Sequence, residues 1–137
     1  MTEQLVTFPH GLVGCEGWKH FVRTEVPDEP IQQLVCLDEP EVAFLTVPVE
    51  ALVPDYQLDL NDADEKVLEC HESADMLVLC TLTTRRQRPM LTANLVGPLV
   101  INRATGIAKQ VVLVNSSYSL KHPVLDVLPE AAHARPH

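Results

Sequence analysis

Residues 92–114, TANLVGPLVINRATGIAKQVVLV, constrain the fold more than any other stretch of this chain. Leu99-Val100-Ile101 and Val111-Val112-Leu113-Val114 are aliphatic runs too short for helices, and their branched side chains suit a pleated surface. Between them, Arg103-Ala104-Thr105-Gly106 ends in the glycine that tight turns favour. The pattern predicts a long β-hairpin. Whether its loop has two residues, Thr105 and Gly106, or four, alternation puts Leu99, Ile101, Gln110 and Val112 on one face. Val100, Asn102, Lys109 and Val111 fall on the other. Aliphatics on both faces place at least part of the hairpin inside a sandwich or barrel, with Val100 and Val112 inside the sheet. Gly97-Pro98 interrupts strand pairing and predicts a bulge or a bend into an edge.

The rest of the chain offers strands for this hairpin to join. Residues 5–8 predict a short strand, Gly11-Leu12-Val13-Gly14 a turn, Phe21-Val22-Arg23 a strand, and Pro27-Asp28-Glu29-Pro30 a loop. Residues 31–37 and 41–47 predict a hairpin joined by Asp38-Glu39-Pro40. Val49 to Val53, bracketed by Pro48 and Pro54, has room for one helical turn, and residues 56–60 alternate as a strand does. One helix is expected next. Asn61 is a suitable N-cap, and Asp62, Asp64 and Glu65 stand in the first turn, where the helix dipole favours anions. Leu68 would face the core with Val67 or Ala63, and the helix would end by Cys70. Residues 72–75 predict a turn, residues 76–82 a strand buried on both faces, and residues 85–89 an exposed loop. Residues 124–128 are a short apolar piece expected to pack on its own domain, and residues 134–137 are expected to be disordered.

A chain of 137 residues supports one core of its own and not two. The expected fold is therefore all-β: an antiparallel, closed or nearly closed barrel or sandwich of about eight to ten strands with one short helix. Residues 1–123 form its single domain and residues 124–137 a C-terminal segment. No apolar run approaches the roughly 18 residues that span a bilayer, and Met1-Thr2-Glu3-Gln4 lacks the basic start of a secretory signal, so a cytoplasmic location without membrane contact is expected. Without that signal, the sequon Asn115-Ser116-Ser117 is simply loop. Cys15, Cys36, Cys70 and Cys80 contain no CxxC pair and are expected to be buried free thiols.

Charge is unevenly distributed. Acids and bases number 5 and 2 in residues 1–30, 12 and 1 in residues 31–75, and 2 and 7 in residues 76–137, or −3, −11 and +5, which sum to the net −9. Only Arg85, Arg86 and Arg88 cluster, so direct nucleic-acid binding, which requires a concentrated basic surface, is not expected. A basic protein partner fits the acidic segment, against the plainer alternative of a solvated face that keeps a small domain soluble. Its candidate contacts are Asp38, Glu39 and Glu41 at one turn and Asp59, Asp62, Asp64 and Glu65 around the helix start.

Catalysis would need a nucleophile with its base, a metal cluster or a phosphate loop. Gly97 and Gly106 are isolated, and no Gly-Lys-Ser/Thr follows either. His10, His20, His71 and His122 lack the i, i+4 spacing of a metal-binding helix, and His133 and His137, which are four apart, lie in the expected C-terminal tail. Cys70-His71 are neighbours in sequence, and neighbours point apart on a helix or a strand, so they form no dyad. The acid pairs Asp38-Glu39 and Asp62/Asp64 lack a twelve-residue calcium loop. No enzyme activity, metal or cofactor is expected. Asn94, Asn102 and Gln110 stand in apolar strands, where a buried amide must be hydrogen-bonded, and are expected to tie the hairpin to neighbouring backbone. The functional alternative is that Asn102 and Lys109, opposite each other, expose part of the hairpin to a partner.

TANLVGPLVIN, GIAKQVVLV, Tyr118 and Lys121-His122-Pro123 resemble the C-terminal half of the flagellar assembly factor FliW family. FPHGLVGCEGWKHF, residues 8–21, is similar to that family's Phe-x-x-Gly-Leu-Pro-Gly-Phe opening, with Val13 and Cys15 in place of proline and phenylalanine. Val42-Ala43-Phe44-Leu45 and Pro54-Asp55-Tyr56 fall in matching order, so the resemblance covers residues 8–124; family members usually have one more strand before the opening motif. It implies a cytosolic, chaperone-like regulator of flagellum biogenesis that binds flagellin and antagonises the RNA-binding translational repressor CsrA. The competing class is a barrel holding a small molecule, or a small enzyme. Two tyrosines, three phenylalanines and one tryptophan are sparse lining for such a cavity.

Overall fold

Alternation in the N-terminal third writes one face of a sheet. A computed structural model describes residues 2–70, 72–84, 91–114 and 116–124. Strands β1 (Thr2–Thr7), β2 (His20–Glu25), β3 (Gln32–Cys36) and β4 (Ala43–Pro48) form an antiparallel meander. Val6, Phe8, Phe21, Leu34 and Cys36 turn inward and are buried. Phe8 and Phe21 meet edge to face with ring centres 5.4 Å apart, the arrangement their quadrupoles favour. β1 reaches back to Thr2, so the first strand begins three residues before the expected Leu5 and pairs along the whole of β2.

The long strand β5 (Met76–Thr84) is the hub. It pairs with β4, with β6 (Leu91–Ala93), and with β7 (Leu99–Asn102), all antiparallel. β8 (Ala108–Gln110) pairs with β7, and β9 (His122–Pro123) with β6. Among the described residues the sheet has nine strands, is antiparallel throughout its ladders and is nearly closed. A parallel bridge, Thr7 to Ile107, brings β1 against the β7–β8 turn, where the Thr7 amide donates to the Gly106 carbonyl at 2.9 Å. Only glycine fits there: Gly106 has φ +81°, and a Cβ on it would lie 2.2 Å from the Leu5 carbonyl oxygen.

β7 and β8 keep the predicted faces, with Val100 opposite Lys109 and a four-residue turn, residues 103–106. Leu99 and Ile101 enter the barrel core with Val6, Phe8, Leu77 and Leu79. Val100 enters a second layer, packed with Leu68, Cys70, Met76 and Val111 beneath helix α1 (Asp62–Leu68). Asn61 caps α1 in a full capping box with Asp64, and Glu69, in the left-handed region at φ 57°, ends it. A third cluster gathers Val47, Val49, Cys80, Ala93, Leu95 and Val124 at the other end. Val124 packs on its own domain, whereas residues 125–137, with the expected tail, lie outside the described residues, as does the loop at residues 85–90.

Two expected strands are absent. Residues 56–60 alternate in burial as expected but join no ladder. The Tyr56 hydroxyl donates to the Leu95 carbonyl, and its ring stacks on Tyr118 at 4.5 Å, while Leu58 and Leu60 lie against the α1 layer. The segment crosses the domain on its side chains. Residues 111–114 likewise continue β8 irregularly. Val111 donates to the Pro98 carbonyl at 3.0 Å and Leu113 to that of Val96 at 2.8 Å, but proline and the Asn94-capped bend at residues 94–97 return no regular ladder. Val112 is 52% exposed, not inside the sheet.

Candidate functional site

The acids of the middle segment divide into those committed to the fold and those facing water. Asp38 is committed. Its carboxylate accepts the Lys19 and His20 amides, each at 2.7 Å, and lies 3.2 Å from His20 Nδ1. The His20 amide first, then the Lys19 amide and the His20 side chain, hold its carboxyl at about 2, below the ordinary 3.8. Glu39 and Glu41, on the same turn, are exposed.

Around α1 the division is sharper. Asp59 and Asp62 are exposed, and Glu65 is half-buried. Asp64, expected as a partner contact, is instead 6% exposed: it completes the capping box and binds Lys109 Nζ. This corrects the expectation for Lys109 as well, because the hairpin face that carries it is covered by the helix rather than offered to a partner. Asn102 is also covered, at 5% exposure. Its amide nitrogen donates to the Leu68 carbonyl at 2.9 Å, and its oxygen accepts the Ala104 amide at 3.0 Å. Asn102 therefore ties the end of α1 to the β7–β8 turn, the backbone role expected of it. It stands diagonal to Lys109, not opposite.

Sequence reasoning missed a groove of about 510 Å³ between residues 57–61 and the irregular edge at residues 111–114. Asp59, Asn61 and Tyr118 line one wall, and the four residues Val111, Val112, Leu113 and Val114 the other. The Gln57 amide donates to the Tyr118 hydroxyl at 2.7 Å and ties these two lining residues together. Desolvation raises the Tyr56 phenol well above its ordinary pKa, so this anchor stays protonated. The signal available in sequence was negative: Val-Val-Leu-Val carries neither the lysine nor the proline that guards exposed edges.

Among the described residues, no group of three His, Cys, Asp or Glu side chains is placed to hold a metal. Cys36, Cys70 and Cys80 are buried free thiols, and Cys15 is half-exposed. Desolvation pushes the Cys80 thiol up to about 12, which makes it a poor nucleophile. No helix among the described residues is long and apolar enough to cross a membrane.

The fold and the groove define a small, nearly closed antiparallel β-barrel protein whose distinctive surface is an irregular aliphatic edge beside a groove that carries Asp59. The family model described as FliW protein matches residues 1–125, and the chain belongs to that family. It is 35% identical over 123 residues to the flagellar assembly factor FliW of Bacillus licheniformis, covering 89% of this chain and 86% of that one. The FliW of Bacillus subtilis is 33% identical over the same length and shares. A crystal structure of the flagellar assembly factor FliW superposes with a TM-score of 0.80 at 30% identity, covering 92% of this chain and 86% of the other.

Proposed function

We propose that this protein is a cytosolic, non-catalytic regulator of flagellum assembly that binds two proteins in turn. While flagellin is abundant it occupies the barrel; once flagellin is exported, the freed protein captures the CsrA-type RNA-binding repressor and relieves repression of flagellin translation. Membership of the FliW family over residues 1–125 carries this reading. The −11 balance of residues 31–75 supports it, since a basic RNA-binding protein is drawn to such a field. Of the seven acids singled out in that segment, Asp38 and Asp64 are committed to the fold and Glu65 is half-buried, so the exposed Glu39, Glu41, Asp59 and Asp62 remain the candidate contacts.

The test is binding kinetics with flagellin and with CsrA separately. The wild-type chain binds both, and flagellin displaces CsrA. The pairs Glu39→Lys with Glu41→Lys and Asp59→Lys with Asp62→Lys slow CsrA association at about 50 mM salt. The difference shrinks near 500 mM, as the Debye length falls from roughly 14 to 4 Å. A wild-type chain that binds neither protein overturns the reading.

A further inference from the structure

Along residues 111–114 the backbone faces two ways. The amides of Val111 and Leu113 point inward, to Pro98 and Val96, while those of Val112 and Val114 point away and meet no hydrogen-bond acceptor among the described residues. Their carbonyls likewise accept from no described residue. The side chains at these two positions are 52% and 80% exposed, although valine is a residue that folding normally removes from water. An aliphatic edge with open backbone groups, no lysine, no proline and a groove alongside is what strand addition requires.

We propose that residues 111–114 receive an extended segment of the basic partner as an added β-strand. The added strand's backbone pairs with the outward groups of Val112 and Val114. Its aliphatic side chains lie on those valines, and its Lys or Arg side chains face Asp59 across the groove. This rests on the proposed function and assigns it a surface. Charge selects the occupant. The charged side chains lining the groove are Asp59 and Asp64, and Asp64 already holds Lys109, so the net character left is negative. A second copy pairing edge to edge would bring a second Asp59 toward the first in a chain of net −9, and is disfavoured.

The experiment measures CsrA affinity and thermal unfolding for the full chain carrying Val112→Pro, Val114→Pro or both. Proline removes an outward amide that the fold does not use, so the midpoint of unfolding stays near wild type while affinity falls about tenfold or more. A second pair decides the matter should proline disturb folding. Val112→Lys with Val114→Lys weakens binding of a basic strand, whereas Val112→Glu with Val114→Glu preserves or tightens it. Wild-type affinity in the folded proline variants, or equal loss in the Lys and Glu pairs, overturns the proposal while leaving the proposed function standing. So does wild-type self-association that Val112→Pro abolishes, or loss of flagellin binding alone. Failure of the wild-type chain to bind CsrA at all is a failure of the proposed function instead.

Discussion

β8 and the irregular residues that follow it form one continuous stretch of chain, yet its two halves are treated oppositely. Ala108-Lys109-Gln110 is the polar half and is the one covered: Lys109 binds Asp64 of α1, and Gln110 donates to the Gly97 carbonyl and accepts the Val13 amide. Val111-Val112-Leu113-Val114 is the aliphatic half, and its outward valines face water. Cover is therefore decided by which elements arrive, not by hydropathy. α1, the N-terminal loop and the Thr7 bridge all converge on residues 106–110, and no hydrogen bond among the described residues reaches the outward amides of Val112 and Val114.

The largest effect expected from this contrast is in the core. Ile101→Ala should cost about 2–5 kcal/mol, because Ile101 is fully enclosed, whereas Val112→Ala should change stability by no more than about 0.5 kcal/mol. Chemical denaturation of both variants checks this, and equal costs would erase the distinction between covered and open halves. A smaller effect is expected at Asn102. Replacing it with leucine keeps the volume but strips partners from the Leu68 carbonyl and the Ala104 amide, for a loss of about 1–3 kcal/mol. If denaturation finds no loss, the helix is held over the hairpin by apolar packing alone.

Much of this was legible in the chain. The faces of the hairpin followed from alternation without knowledge of the loop length, and the Asn61 cap followed from residue types at fixed spacing. What could not be read were contacts between distant segments. Asn102 meets Leu68 across 34 residues and Lys109 meets Asp64 across 45, and nothing local to either partner announces the other. For that reason Asp64 resembled its exposed neighbour Asp62. Residues 56–60 misled in another way: their alternation is real, but a buried stripe can be satisfied by side chains packing across a sheet, with no strand beside it.

Residue-resolved amide exchange on the free, full-length chain tests the open edge most directly. The account predicts an alternating pattern from one residue to the next. The amides of Val111 and Leu113 should be protected about 10³-fold or more, as in a cooperatively held sheet, with those of Val112 and Val114 exchanging close to the unprotected rate. Protection at Val112 and Val114 equal to that of their neighbours would contradict it, because the edge would then already be covered in the free protein.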